Sequence, residues 1–241
     1  MMNKSITIAV LGIRQMAADP MYVIFTMALP VMMTWAMSFL PRDAGVYEMA
    51  SLGVLVMFVA LNLINSAGVI LEERQKGTWQ RLLASPTSYG QIMSGYFIKL
   101  FLLAWIQTII LLLSGKYLFG APWNNGYFEM IIVLTVYIFA MTGLGLFLSG
   151  LLRTQGQVQA VAMAIVMLGT MLGDVFFPIE NASGVIKFIS TISPQSWAAH
   201  ALKDILTAGI SLSELVQPLI WMGAAGLIML IAGVLKIKYE G

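Results

Sequence analysis

The 241-residue sequence contains no cysteine and a single histidine, His200. The first absence removes disulfides and thiolate metal sites, and the second removes H-E-x-x-H and any histidine cluster able to hold a metal. No G-x-x-x-x-G-K-[ST] phosphate loop occurs: Gly115-Lys116 is followed by tyrosine and lacks the upstream glycine. ATP hydrolysis through that device is therefore excluded. Charge is also scarce, at 10% of residues, against about 25% in soluble domains. What fills the chain instead is apolar: 59% of residues are hydrophobic and the mean hydropathy is +0.88. A water-soluble fold of this length cannot cover so much apolar surface, so lipid is part of the solvent. A net charge of +2 is too small for a nucleic-acid partner.

Six apolar runs predict transmembrane helices, at residues 21–40, 49–71, 91–113, 128–152, 158–177 and 215–235. Each is near the ~20 residues needed to cross ~30 Å of hydrocarbon. The first is long enough to stay in the membrane rather than be removed as a signal peptide. Ahead of it, Ile6, Ala9, Val10, Ile13 and Met16 recur at helical spacing within residues 4–19. That pattern is too polar to span and predicts a helix lying in the membrane interface. Asp19-Pro20 marks the break that follows. The connections 41–48 and 153–157 leave no room for folded domains.

Residues 178–214 form the unusual connection. They contain a turn (FPIENASG), a helix start at Ser193-Pro194, and two runs too apolar for an open loop, 185–192 and 196–210. Two short helices dipping into the outer leaflet are expected, packed against protein. With the N-terminus cytoplasmic, nine of the thirteen basic residues fall inside and four (Arg42, Lys116, Lys187, Lys203) outside. Both termini are therefore expected in the cytoplasm.

Candidate chemistry within the membrane is sparse. Ser196 and His200 share a helix face at i, i+4, but no nucleophile motif surrounds Ser196. Asp174 is the only candidate within a predicted span for an ion-coupling carboxylate, and it sits near the outer end. Asn62, Asn65 and Ser66 form a polar cluster in the second span, and Gln107, Thr108 and Lys99 lie in the third. These residues read either as hydrogen-bonding glue between helices or as the wall of a translocation route. A stand-alone secondary carrier or channel, with Asn62, Asn65, Lys99 and Asp174 as its polar path, is the competing reading of the whole chain.

The one dense island of charge is residues 72–88, EERQKGTWQRLLASPTS. Gly77 is placed to end the second span in left-handed geometry, and Thr78 to cap a short helix over 79–85. Pro86 ends that helix, and Ser88 with Gln91 matches a capping box opening the third span. Trp79, Leu82 and Leu83 would share one face of the short helix, with Gln80 and Arg81 beside it. A solvated loop needs no such apolar knob, whereas a part pushed by a second protein does.

This segment resembles the E-E-R-x-x-G-T-x-x-x-L-L-x-[ST]-P-x-S stretch of type-2 permeases of ATP-binding-cassette exporters. Residues 172–206, LGDVFFPIENASGVIKFISTISPQSWAAHALKDIL, are similar to the family's F-F-P-[IL]-E-x run and its later P-x-x-x-x-x-x-A-L. The resemblance implies an all-α integral membrane protein forming one transmembrane domain over residues 1–241. Its parts would be a connecting helix within 1–20, six spans, a cytoplasmic coupling helix within 72–88, and extracellular re-entrant helices within 178–214. It implies two permease copies, identical or related, paired with two ATPase subunits that bind ATP and Mg; this chain would bind no cofactor and have no catalytic residue. Export of a drug, peptide, lipid or glycan across a bacterial inner membrane would follow. Glu72, Glu73, Arg74, Lys76, Gly77, Thr78, Trp79, Arg81, Leu82 and Leu83 would couple to the ATPase. Basic Arg74, Lys76 and Arg81 would meet its acids, while Trp79, Leu82 and Leu83 fill its groove. Asn62, Asn65, Ser66, Phe176 and Phe177 would line the route and its outer gate. Some relatives carry a large external domain after the first span, for which residues 41–48 leave no space.

Overall fold

The computed structural model describes residues 4–41, 46–121, 123, 126–171, 175–176 and 184–239, and every regular element among them is helical. Helix α1, Lys4–Ala17, buries Ser5, Ala9 and Gly12 while Ile6, Val10 and Leu11 face outward. Its small face permits close approach to a later helix: a Cβ on Gly95 would meet Ile8 at 2.9 Å. The outward apolar residues suit a helix lying in an interface.

The Asp19 carboxylate accepts from the Met21 and Tyr22 amides at 3.0 and 3.3 Å, and Pro20 opens α2, Pro20–Met37. Within α2, Ile24–Ala28 widens to a π turn just ahead of Pro30. Proline's ring would otherwise collide with a carbonyl of the preceding turn.

Helix α3, Val46–Gln75, is the centre of the molecule. Thirty residues make about 45 Å of helix, more than the ~30 Å of hydrocarbon, so its charged last turn, Glu72–Gln75, projects past the apolar layer. Its most apolar stretch is 78% buried, against 17% for α2 and 17% for the last helix. The reason is packing on several sides, against helices that follow it in sequence. After the short α4, Thr78–Leu83, come α5, Tyr89–Leu118, α6, Tyr127–Leu151, and α7, Gln155–Met171. Then α8, Val185–Ile192, and α9, Pro194–Ala208, precede α10, Leu212–Tyr239. The main core gathers residues of α3, α5, α6, α7, α9 and α10, with α6 and α10 in the most extensive contact.

Among the described residues, five helices, α2, α3, α5, α6 and α10, are long and apolar enough to cross a membrane. The run expected over 158–177 appears as α7, 17 residues long; residues 172–174 and 177, with Asp174 and Phe177, lie outside the described residues. Ser193-Pro194 does begin a helix, and α9 is packed inward through Gln195, whose amide donates to the Val166 carbonyl at 3.3 Å. A Cβ on Gly169 would collide with the Gln195 side chain, so that glycine is what lets α9 sit on α7.

Candidate functional site

The charged island folds as helix, bend, short helix, bend, helix. Gly77 has φ +68°, and nothing stands within 4 Å of where its Cβ would be. Its requirement is therefore conformational and not steric. At the other end, the Ser88 hydroxyl accepts from the Gln91 amide while the Gln91 side chain accepts from the Ser88 amide, completing the capping box.

Thr78 does not act as the predicted cap. It is the first residue of α4 and Gly77 takes the cap position; the Thr78 hydroxyl turns back to the Glu73 carbonyl at 3.1 Å and to the Glu73 carboxylate. Trp79 departs from expectation more sharply. It is 1% exposed, seated among Val69, Ile70, Ile92, Met93 and Tyr96, so it cannot fill a groove on another protein. Burying so large an apolar surface inside its own bundle wins over presenting it to water. Arg74 is also drawn inward, its guanidinium 5.9 Å from the Trp79 ring centroid and donating to the Ile237 carbonyl at 3.3 Å. The nearby Tyr89 hydroxyl donates to the Val234 carbonyl at 2.6 Å. The first of these bonds occupies a carbonyl in the last turn of α10, where intrahelical donors run out, and the second adds a donor one turn earlier. Nothing in the sequence announced this link except a basic residue and a tyrosine near a helix that needed C-terminal partners.

What remains outward is Glu72, Gln75, Lys76, Gly77, Gln80, Arg81, Leu83, Ala84, Pro86 and Ser88, with Leu82 half-buried. The Lys76 ammonium pairs with Glu72 at 2.5 Å across one helical turn, and this hydrogen bond raises the lysine above its ordinary pKa. On the far side of the segment, Lys4 of α1 donates to the Pro86 carbonyl, and the Ser5 and Ser94 hydroxyls meet at 2.8 Å. The island is thus fastened to α1, α5 and α10 at once.

A cavity of about 540 Å³ opens beside it, lined among others by Gln15, Asp19, Asn65, Glu72, Glu73 and Lys99. The Lys99 ammonium lies 5.8 Å from the Tyr96 ring centroid, and Gly12 makes room for its stem: a Cβ there would stand 2.5 Å from Lys99 Cδ.

Deeper in the bundle, the structure separates the polar cluster of the second span. Asn62 donates to the Gln107 side chain of α5 and to the Phe58 carbonyl at 3.4 Å. The pair borders a second cavity, about 290 Å³, that Asn65 and Phe25 also line. Ser66 instead faces α6, where a Cβ on Gly145 would strike it and the Ser149 hydroxyl donates to its carbonyl at 3.2 Å. It belongs to a helix contact and lines neither of these cavities. Phe176 is half-buried against Gly53, where a Cβ would meet its ring at 2.5 Å. The His200 Nδ1 lies 2.7 Å from the Ser196 carbonyl and 3.4 Å from the Ser196 hydroxyl, which is buried. A ring N–H donating to that carbonyl has no lone pair for the hydroxyl, so the spacing makes no nucleophile–base pair.

The sequence model of the ABC-2 type transporter family matches residues 6–207. The chain belongs to that family. Similar proteins include the linearmycin resistance permease protein LnrN of Bacillus subtilis (strain 168), 31% identical over 182 residues. That alignment covers 76% of this chain and 46% of LnrN. The probable multidrug ABC transporter permease YbhR of Escherichia coli (strain K12) is 25% identical over 175 residues, 73% of this chain and 47% of YbhR. Its counterpart YbhS is 21% identical over 157 residues, 65% and 42% of the two chains. The chain spans about half the length of the curated relatives it matches. As an ABC-2 family member it is a membrane protein of several apolar helices, and the charged island and the segment around α9 both fall within the matched residues.

Proposed function

We propose that this chain is the permease subunit of an exporter in a bacterial inner membrane, driven by a separately encoded ATPase that holds ATP and Mg. In this reading it has six spans, with α7 and the residues after it as the fifth, both termini in the cytoplasm, and α8 and α9 as re-entrant helices outside. It pairs with a second permease copy, identical or related. Helix α4 is the coupling helix, and its contact surface is Lys76, Gln80, Arg81, Leu82 and Leu83. Glu72 pairs with Lys76 at the edge of that surface and Gly77 sets the bend, while Glu73, Arg74, Thr78 and Trp79 act behind it by holding it to the bundle. Family membership and the construction of α4 carry the reading together: a two-turn helix fastened to three other helices, with a cationic and apolar face left outward.

Force on such a helix moves the bundle instead of bending a loop. ATPase closure shifts the equilibrium between inward-open and outward-open arrangements to the extent that the ATPase binds one of them better. Asn62, Asn65 and Phe176, beside Phe177, border the route at the permease pair. The relatives are named for linearmycin resistance and for multidrug transport, which favours a drug as cargo over a peptide, lipid or glycan.

The test is to express the chain with candidate ATPases and identify which copurifies. Leu83→Asp should leave membrane insertion intact and lower cargo-stimulated ATPase activity roughly tenfold, the weight of a 1.4 kcal/mol loss in productive contact. Normal stimulation in that variant, or transport by the purified chain without any ATPase, would overturn the assignment in favour of a stand-alone carrier. Cysteines introduced at Ala84 and Thr207 should label from opposite sides of the membrane.

A further inference from the structure

At the end of α5 remote from α4, a groove of about 440 Å³ runs between α5 and α6. That size lies within the ~300–1,000 Å³ of small-ligand sites. Its walls are apolar, with Trp105, Ile109, Leu113 and Ile131 among them, and Lys116 is the one charged residue lining it among the described residues. Lys116 is not a loosely placed surface lysine. Its ammonium stands 4.1 Å from the Tyr127 ring centroid and 5.7 Å from that of Tyr117. The Tyr127 ring is held in turn, because its hydroxyl donates to the Trp123 carbonyl. Trp123 is buried against Gly115, where a Cβ would meet its ring at 2.7 Å. The π turn Ser114–Leu118 carries Gly115 and Lys116 together. The charge is thus fixed at one end of an otherwise uncharged groove.

The dimensions identify what fits. From Trp105 to Lys116 the helix rises about 16 Å at 1.5 Å per residue. Half of a ~30 Å hydrocarbon layer is about 15 Å. With Lys116 at headgroup level, Trp105 lies near the bilayer centre, so the groove is one leaflet deep. Aromatic side chains around the lysine suit that interfacial depth.

We propose that this groove is a binding site for an anionic phospholipid of the leaflet remote from α4, with an acyl chain along Ile109, Leu113 and Ile131 and the phosphate on Lys116. Charge complementarity selects the headgroup: no carboxylate pairs with Lys116 among the described residues. A bound lipid would brace α5 against α6 at the end of the bundle opposite the charged island.

Quenching of Trp105 fluorescence by lipids brominated on the acyl chain tests this, using the full chain in phosphatidylcholine vesicles. Subtracting the signal of Trp105→Phe isolates the groove from the other five tryptophans. Brominated phosphatidylglycerol should occupy the groove roughly fivefold more readily than brominated phosphatidylcholine, the preference one basic residue supplies at an anionic surface. Lys116→Gln should bring that ratio to about one, while Lys116→Arg should keep it. Free glycerol phosphate should not displace the lipid, since it lacks the chain that fills the groove; displacement would mean that a small phosphate, not a lipid, is the ligand. Equal quenching by the two lipids in the unaltered chain, or a ratio that survives Lys116→Gln, overturns the proposal.

Discussion

Helix α4 is held to the bundle by its largest side chain, whereas α10 is held to α6 where side chains are missing. At α4, Trp79 fills a pocket, and Arg74 and Tyr89 reach across to the end of α10. Along α6 and α10, a Cβ on Gly226 would lie 2.7 Å from the Ala140 Cα, and one on Gly233 would lie 2.6 Å from the Phe147 amide nitrogen. The first attachment joins a small helix to the bundle through long arms. The second presses two backbones together, as expected in lipid, where close packing and not hydrophobic exclusion drives association. A part seated by one large residue moves as a unit with that residue. A seam between backbones has little slack.

The sharpest way to break the contrast is at Trp79. Truncation of a buried tryptophan costs about 3–5 kcal/mol, and here nearly all of it should fall on α4. Trp79→Ala is expected to expose residues 77–86 to limited proteolysis while the remaining helices melt close to the unaltered temperature. Global unfolding in step with proteolysis would show that the island is part of the core and not a part mounted on it. The opposite operation, adding atoms, tests the seam. Gly226→Leu should lower stability by about 1–3 kcal/mol, the usual penalty of overpacking, read as a fall in melting temperature in detergent. Its effect should spread over α6 and α10 and leave the proteolysis of residues 77–86 unchanged.

How far the sequence foretold these interfaces depends on what each one rests on. Helices, bends and caps rest on neighbouring residues, so Gly77, the Ser88–Gln91 box and Ser193-Pro194 were readable locally. Trp79 was readable as an apolar anchor but not for its direction, because a two-turn helix is too short for periodicity to say which side meets the bundle. Thr78 was misplaced by one position: once Gly77 takes the left-handed boundary, Thr78 is already helical and its hydroxyl must look back to Glu73. The i, i+4 spacing of Asn62 and Ser66 suggested one shared polar face. On a helix surrounded by neighbours, that face is divided between α5 and α6, and only three-dimensional packing decides the division. Gly143 and Gly150 of α6 meet partners on α10 some eighty residues on, beyond the reach of any local rule.

The smallest effect concerns Asn62 and Gln107, a third kind of fastening, where polar atoms do what bulk does at α4 and absence does at α10. Hydrogen bonds between membrane helices average about 0.6 kcal/mol in double-mutant cycles, because the partners also find other company when the helices separate. A cycle of Asn62→Leu, Gln107→Leu and the double variant is therefore expected to give about that coupling. Such a value is too small to explain two amides at that depth by stability alone, and it leaves the adjoining cavity to account for them. If Asn62 borders a route, Gln107→Leu frees the Asn62 amide toward that cavity and should change which cargoes stimulate the ATPase, with little change in melting temperature. A coupling several times larger with cargo preference unaltered would make the pair structural glue, and the contrast between bulky anchor and glycine seam would gain a polar counterpart of equal weight.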